Sequence, residues 1–145
     1  MSIQDKLKQF MSGKLDEEKA AGVAFLEENK KRPEVKELEG GIQYEVLEEG
    51  QGRQPAISST VKAHYRGALL NGKVFDSSFE RGQPFSAPLR NLIKGWQIAI
   101  PQMKEGSTWR LWIPSDLAYG DRGAGRDIPG GATLIFDVQL IEILN

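Results

Sequence analysis

Four apolar residues near the start of the chain lie at helical spacing: Ile3, Leu7, Phe10 and Met11. Their offsets of i, i+4, i+7 and i+8 place them on one stripe, which predicts a helix over about residues 3–11. We expect Gly13 to end this helix. Because so short a helix is marginal alone, its stripe must pack against the rest of the chain or against a second copy, and the pattern leaves both open.

A second helix is predicted over about residues 17–32. Asp16 is a suitable N-cap, and the basic residues at 30–32 suit the negative end of the helix dipole. Pro33 favours an end to the helix, and the polar stretch that follows closes on Gly40-Gly41, which indicates a linker. The chain therefore divides into a helical N-terminal segment, residues 1–39, and a second domain, residues 40–145.

Beyond residue 40 the apolar residues alternate with polar ones, which indicates strands. Five are predicted, over about residues 42–47, 61–69, 73–76, 108–113 and 133–144. Asn71-Gly72 predicts a two-residue hairpin turn between the second and third strands. One short helix is predicted over about residues 89–100 by Leu92, Ile93, Trp96 and Ile100. The fold class is therefore α+β, with an antiparallel sheet of about five strands curled over one helix.

Composition excludes several classes of function. The 145 residues carry 19 Lys+Arg and 20 Asp+Glu, and this balance argues against a nucleic-acid-binding surface. The absence of cysteine excludes disulfides, thiol catalysis and cysteine-ligated metals. The single histidine, His64, provides no His–His metal pair and argues against a Ser–His catalytic arrangement.

The chain shows no membrane segment and no secretory signal. Its longest nearly apolar run, residues 20–26, is far too short to span a bilayer, and the first fifteen residues are charged. These features predict a cytoplasmic protein with no membrane partner. A processed or trimmed periplasmic chain would look the same.

Candidate chemistry is sparse. Asp76 follows the apolar pair Val74-Phe75, where a carboxylate is more often a turn or cap residue than a functional one. The glycine-rich run at 120–126 lacks the Lys-Ser/Thr pair of a phosphate loop and predicts a long flexible hairpin loop. Five aromatic residues from separate segments can meet in one concave pocket: Tyr65, Phe75, Trp96, Tyr119 and Phe136.

Five segments in the same order and spacing resemble the FKBP-type peptidyl-prolyl cis–trans isomerases: VKAHYRG at 61–67, NGKVFDSS at 71–78, LIKGW at 92–96, PSDLAYG at 114–120 and IPGGATLIFDV at 128–138. Together they cover essentially all of residues 40–145. The helical leader followed by GIQYEVL at 41–47 is similar to the Mip-like bacterial branch, whose members often dimerise through N-terminal helices.

The resemblance implies a half-barrel sheet wrapped around a short helix, with the active pocket between them. It implies that Trp96 forms the floor under a proline ring and that Tyr65, Phe75 and Phe136 form its walls. Asp76 is expected near the twisting amide, held by Tyr65 or a neighbour.

Further substrate contacts are implied on either side of the short helix. The Ile93 N–H and the Tyr119 hydroxyl are expected to donate to carbonyls of a substrate or a macrolide. Leu92 is expected beside them, and Ile128 at the rim on the loop after Tyr119. The wall before the helix has two candidates, because counting back from Trp96 without gaps gives Ala87, whereas a shift of two residues gives Phe85.

The implied function is acceleration of X–Pro bond rotation in folding polypeptides. No covalent bond breaks in this reaction, so no nucleophile, metal or cofactor is expected. The expected partners are proline-containing unfolded or nascent polypeptides, macrolide inhibitors and a second copy bound through the N-terminal helices. The alternative is a non-catalytic chaperone that holds unfolded chains in the same pocket or between the helices of two copies.

Overall fold

The chain begins with one long helix rather than two. The computed structural model describes residues 2–145, apart from the side chain of Met11, and in it helix α1 spans Ile3–Asn29. Ser2 caps this helix, because its Oγ accepts the Asp5 N–H at 3.1 Å while the Asp5 carboxylate accepts the Ser2 N–H at 3.4 Å. The predicted break at Gly13 and the predicted N-cap at Asp16 are therefore wrong.

Cooperativity explains why Gly13 does not end α1. A glycine inside a helix costs only about 1 kcal/mol relative to alanine, whereas nucleating a second helix is expensive. The backbone of Gly13 is helical, and apart from the helix's own backbone no described atom lies within 4 Å of the position that a Cβ would occupy there. The helix ends at Asn29, three residues before the predicted end and four before Pro33.

The C-terminal half of α1 packs on the rest of the chain. A Cβ on Gly22 would lie 2.3 Å from the Thr133 Oγ1, so the two backbones approach as closely as glycine permits. Further along, the buried Asn29 Nδ2 donates to the Gln43 Oε1 at 2.9 Å, and the Gln43 Nε2 donates to the Leu26 carbonyl at 2.9 Å. These contacts fix the helix against the sheet described next.

The two glycines of α1 give matched variants that test this docking. We expect Gly13→Ala to raise the free energy of unfolding by about 0.5–1 kcal/mol, because alanine is the better helix former and meets nothing there. We expect Gly22→Ala to lower it by about 1–3 kcal/mol, because the methyl group overlaps Thr133. Urea unfolding of both variants measures the two effects, and equal stabilisation by both would contradict the docked arrangement.

Within residues 2–145 seven strands form one antiparallel sheet: β1 Lys36–Glu37, β2 Gln43–Glu48, β3 Thr60–Leu69, β4 Val74–Ser77, β5 Phe85–Pro88, β6 Thr108–Ile113 and β7 Leu134–Ile143. The order across the sheet is β1-β2-β6-β7-β3-β4, and β5 pairs with the first half of β3. The five predicted strands are present with bounds shifted by no more than one residue. Strands β1 and β5 were not predicted, because β1 has two residues and β5 ends in a proline, which only an edge strand tolerates.

The connection between β3 and β4 has three residues, not the predicted two. The Leu69 N–H donates to the Lys73 carbonyl at 2.9 Å, which leaves residues 70–72 in the loop. Only Gly72 has a positive φ there, 91°, as in the three-residue hairpin whose last loop residue is left-handed.

Two short helices complete the domain. Helix α2 spans Ser78–Arg81 and was not predicted, whereas α3 spans Lys94–Ala99 inside the predicted range 89–100. The rest of that range forms 3₁₀ turns at Leu89–Asn91 and Ile100–Gln102, where a proline at 101 limits α3. The concave face of the sheet packs on α3 and its flanks through fully buried side chains, which include Val61, Leu111, Ile113, Val138 and Leu140 against Ala99, Ile100 and Met103.

The structure confirms the α+β class, with a long helix, an antiparallel sheet and a short helix in the sheet's concave face. Strand alternation leaves β3, β6 and β7 with a second, convex face, on which the C-terminal half of α1 lies. No helix among residues 2–145 combines the length and the hydropathy needed to cross a membrane.

Candidate active site

A cavity of about 380 Å³ opens between α3 and the concave face of the sheet. Ten residues line it: Tyr65, Phe75, Asp76, Phe85, Asn91, Leu92, Ile93, Trp96, Tyr119 and Phe136. The sheet contributes side chains from β3, β4, β5 and β7, and the remaining lining residues lie on α3, on the turn before it and on the loop after β6. The five aromatic residues singled out from the sequence therefore do meet in one concave site.

Trp96 lies at the base of the cavity, 5% exposed, and three other rings surround it. The ring centroids of Tyr65, Phe85 and Phe136 lie 5.4, 5.7 and 5.2 Å from the indole, and those of Tyr65 and Phe136 meet it nearly edge-on. Phe75 meets Phe136 edge-on at 5.8 Å. Edge-to-face packing of this kind fixes ring orientation, so the cavity has a preformed apolar wall.

The absence of a side chain at Gly67 makes room for two of these walls. A Cβ on Gly67 would lie 2.5 Å from the Phe75 Cζ and 2.8 Å from the Phe136 Cε1. Gly67 faces the cavity side of β3, where its neighbours in register are Asp76 on β4 and Phe136 on β7. The two phenyl rings therefore pack directly over its backbone.

Asp76 is held by two donors that approach from one side of the cavity. The Tyr65 hydroxyl donates to one carboxylate oxygen, the Arg81 guanidinium donates to the other, and Arg81 also donates to the Tyr65 hydroxyl oxygen at 3.2 Å. Partial burial alone would raise the pKa of Asp76, but the hydrogen bonds from Tyr65 and Arg81 and the charge of Arg81 hold it below its ordinary value. The cavity therefore carries a fixed carboxylate charge.

Burial also raises the pKa of the two tyrosines of the cavity, and here the nearby Asp76 acts in the same direction. The pKa of Tyr65 is raised by burial and by its hydrogen bond to Asp76. The pKa of Tyr119 is raised by burial and by the negative charge of Asp76. Both hydroxyl groups therefore remain protonated donors at neutral pH.

Two donors at the mouth of the cavity have no partner among residues 2–145. The Ile93 N–H precedes α3 and makes no backbone hydrogen bond, although the Ile93 carbonyl accepts from Trp96 and Gln97. The Tyr119 hydroxyl makes no hydrogen bond to a side chain or to the backbone, and 39% of this residue is exposed. Both groups can donate to a carbonyl of a bound molecule.

Two residues expected at the site lie elsewhere. Phe85, and not Ala87, lines the cavity. The two share one face of β5, but Phe85 pairs with Ala63 of β3 and its ring reaches Tyr65 at 5.3 Å, whereas Ala87 pairs with Val61 further along the strand. Ile128 is 7% exposed and belongs to the core rather than the rim, because its backbone pairs with Ala124 and folds the loop back.

Two residues of the site were missed from the sequence. Arg81 pairs with Asp76 across the short helix α2, and a basic residue five positions after the acid was the only available signal. Asn91 lies in the turn before α3, and nothing in the local pattern indicates that it reaches the cavity.

The chain matches two protein-family models. Residues 51–141 match the model of the FKBP-type peptidyl-prolyl cis-trans isomerase, and residues 1–46 match the domain amino terminal to FKBP-type peptidyl-prolyl isomerase. The first match includes all ten residues that line the cavity, from Tyr65 to Phe136.

Curated relatives share the sequence over most of this chain. The FKBP-type 22 kDa peptidyl-prolyl cis-trans isomerase of Escherichia coli (strain K12) is 49% identical over 86% of this chain and 61% of its own length. The peptidyl-prolyl cis-trans isomerase Mip of Coxiella burnetii is 49% identical over 83% of this chain and 52% of its own length. The chain therefore spans between half and two thirds of the length of these relatives.

A solved structure gives the same result for the fold. The crystal structure of FkpA from Escherichia coli matches with a TM-score of 0.87 and 35% identity, over 99% of this chain and 73% of that one. The chain belongs to the FKBP-type peptidyl-prolyl cis-trans isomerase family.

Proposed function

We propose that this chain accelerates cis–trans rotation about X–Pro bonds in folding polypeptides, without covalent chemistry, in the cavity above Trp96. One observation carries the proposal: six aromatic rings line an open cavity of about 380 Å³ that also holds an ionised Asp76. Family membership supports the same activity.

The physical basis of the rate acceleration is the charge separation of the planar amide. Resonance places negative charge on oxygen and gives the C–N bond a rotation barrier of about 18–20 kcal/mol. Water stabilises this separated charge, whereas an apolar pocket does not. The pocket therefore lowers the free energy of the twisted transition state relative to that of the planar ground state. The Asp76 carboxylate disfavours negative charge on a nearby carbonyl oxygen and acts in the same direction, without transferring a proton.

The roles of the lining residues follow from this geometry. Trp96 supports the proline ring from below, and Tyr65, Phe75, Phe85 and Phe136 enclose it. The Ile93 N–H and the Tyr119 hydroxyl donate to substrate carbonyls, and Leu92 and Asn91 border the residue before proline. A macrolide that carries carbonyl groups on an apolar ring suits the same donors and walls.

A chromogenic X–Pro peptide, cleaved by a protease only in the trans form, tests the proposal. We expect the chain to accelerate the slow phase and a macrolide to abolish that acceleration. The exposed apolar side chains at the start of α1 keep the chaperone alternative open. Suppression of client aggregation without any acceleration of the peptide would support that alternative and overturn ours.

The peptide reaction is expected to be independent of pH between about pH 5 and pH 9. The lowered pKa of Asp76 keeps the carboxylate charged throughout, since the charge is lost only as pH falls through a value below about 3.9. The raised pKa values of Tyr65 and Tyr119 lie above about 10, so both hydroxyls stay protonated. Exchange rates measured by NMR, which need no coupling protease, test this. An inflection inside the window would contradict it.

We also propose that two copies pair through the first half of α1. Ile3, Leu7 and Phe10 are 78%, 55% and 63% exposed, and they share one stripe of the helix; the side chain of Met11, predicted on the same stripe, lies outside the described residues. The match of residues 1–46 to a family domain supports a conserved role for this segment.

Charge on this stripe is expected to separate the copies. The double variant Leu7→Glu, Phe10→Glu removes the apolar contact and adds like charges, so light scattering is expected to report half the mass of the unaltered protein. Val23→Glu is the matched control, because Val23 is 62% exposed and lies on the opposite side of α1. A single mass for all three proteins would contradict the pairing.

The division into residues 1–39 and 40–145 and the cytoplasmic location remain proposals. The docked half of α1 supports treating residues 15–29 as part of one folded unit with the sheet. Fractionation of cells that express the natural gene would decide the compartment, and recovery with periplasmic markers would overturn the cytoplasmic proposal.

A further inference from the structure

The convex face of the sheet carries a second cavity, larger than the one above Trp96. It has a volume of about 620 Å³ and lies between the C-terminal half of α1 and strands β3, β7 and β6. Because successive residues of a strand point to opposite faces, Tyr65 and Phe136 face the first cavity while Arg66 and Ile135 face the second. We refer to the second cavity as the convex groove.

The floor of the convex groove consists of two rows that cross three strands. Ala68, Ile135 and Trp112 are in register and form an apolar row, with Phe25 of α1 as a side wall. Arg66, Asp137 and Arg110 form a charged row beside it. The two rows are separated by two residues along each strand, which corresponds to about 6.6–6.8 Å.

One charge on this floor has no partner within the described part of the chain. Arg110 binds both carboxylate oxygens of Asp137, at 2.7 and 3.0 Å, so these two charges neutralise each other. Arg32, at the edge of the groove, pairs with Glu34 at 2.7 Å and also with Glu45. Arg66 is exposed and lies within 4 Å of no carboxylate among residues 2–145. Glu28, on the α1 side of the groove, pairs with Lys31 at 3.0 Å. The groove therefore combines an apolar row with one unmatched positive charge.

We propose that the convex groove binds an extended polypeptide segment in which an acidic side chain and a large apolar side chain stand two residues apart. In an extended segment such a pair points to one face with the same spacing as the two rows, about 6.6–6.8 Å. The apolar side chain packs on Ala68 and Ile135, and the carboxylate pairs with Arg66. The site needs no proline and is separated from the Trp96 cavity by the thickness of the sheet.

A fluorescein-labelled, proline-free peptide that carries Phe and Glu two residues apart tests this by fluorescence anisotropy on the full chain. We expect binding that is weakened at least about tenfold by Arg66→Glu and by replacement of the peptide Glu with Lys. Arg53→Glu is the matched control, because Arg53 is 74% exposed and lies outside the groove, and it is expected to change the affinity less than about twofold. Saturation of the Trp96 cavity with a macrolide is expected to leave the peptide bound.

Three binding results would overturn the proposal: no binding below millimolar concentration, equal affinities of the Arg66→Glu and Arg53→Glu variants, or displacement of the peptide by the macrolide. A change in the oligomeric mass of Arg66→Glu would also overturn it, because the groove would then be a contact between copies of the chain. Circular dichroism and turnover of the X–Pro peptide, which Arg66 does not contact, establish that Arg66→Glu is folded. If that variant does not fold, Arg66→Gln replaces it, with the same expected direction. The X–Pro turnover is independent of the peptide result, so failure of the groove and failure of the isomerase proposal are distinguishable.

Discussion

Replacing Gly67 by alanine is expected to lower kcat/KM for an X–Pro peptide by about tenfold to a hundredfold. The added Cβ would lie 2.5 Å from the Phe75 ring and 2.8 Å from the Phe136 ring, closer than such contacts occur. Both rings must therefore move into the cavity, whose walls they form. Overpacking of this kind costs about 1–3 kcal/mol, and each 1.36 kcal/mol lost from transition-state binding is about tenfold in rate.

The measurement needs to separate a damaged pocket from an unfolded chain. Urea unfolding is expected to show that Gly67→Ala retains a cooperative transition, and near-ultraviolet circular dichroism is expected to report the altered ring packing. Gly13→Ala is the control, because it is also Gly→Ala but lies where nothing stands within 4 Å. Unchanged kcat/KM in a folded Gly67→Ala protein would show that the two rings do not define the reacting geometry.

The sequence was sufficient to predict those parts of the fold that repeat with a period of two. Strands β3 and β7 bury alternate residues on the concave face, and this alternation gave their bounds within one residue. The motif residues Tyr65, Phe75, Trp96 and Phe136 meet in one cavity as the resemblance implied. In these elements the local pattern and the tertiary packing favour the same structure.

Other features depended on contacts between distant parts of the chain. Helix α1 continues through Gly13 because helix cooperativity outweighs the small local cost of a glycine. The composition of the segment alone does not show which of the two effects is larger. Docking of α1 rests on Gln43, a residue that the alternation of β2 describes only as polar. The choice between Phe85 and Ala87 depended on how β5 pairs with β3. Arg81 became part of the site only because α2 folds it back toward Asp76.

The Asp76 carboxylate is expected to contribute a rate factor of about ten. In Asp76→Asn the amide keeps the size of the side chain and can still accept from Tyr65, but the negative charge beside the substrate carbonyl is gone. Resonance of the planar amide is then no longer opposed by that charge, and a loss of about 1.4 kcal/mol of transition-state stabilisation corresponds to about tenfold in kcat/KM. We expect the loss in kcat more than in KM, because the charge acts on the twisting bond rather than on the proline ring.

Asp137→Asn provides the matched control for this electrostatic role. Asp137 is also a strand carboxylate paired with an arginine, but it lies on the convex face of the sheet, away from the Trp96 cavity. Both variants remove one negative charge from the protein, so both show any effect of net charge. Only Asp76→Asn changes the electric field at the substrate. We expect kcat/KM of Asp137→Asn within about twofold of the unaltered chain. Equal losses in the two variants, or none in Asp76→Asn while Arg81 and Tyr65 stay ordered, would assign the acceleration to the apolar walls alone.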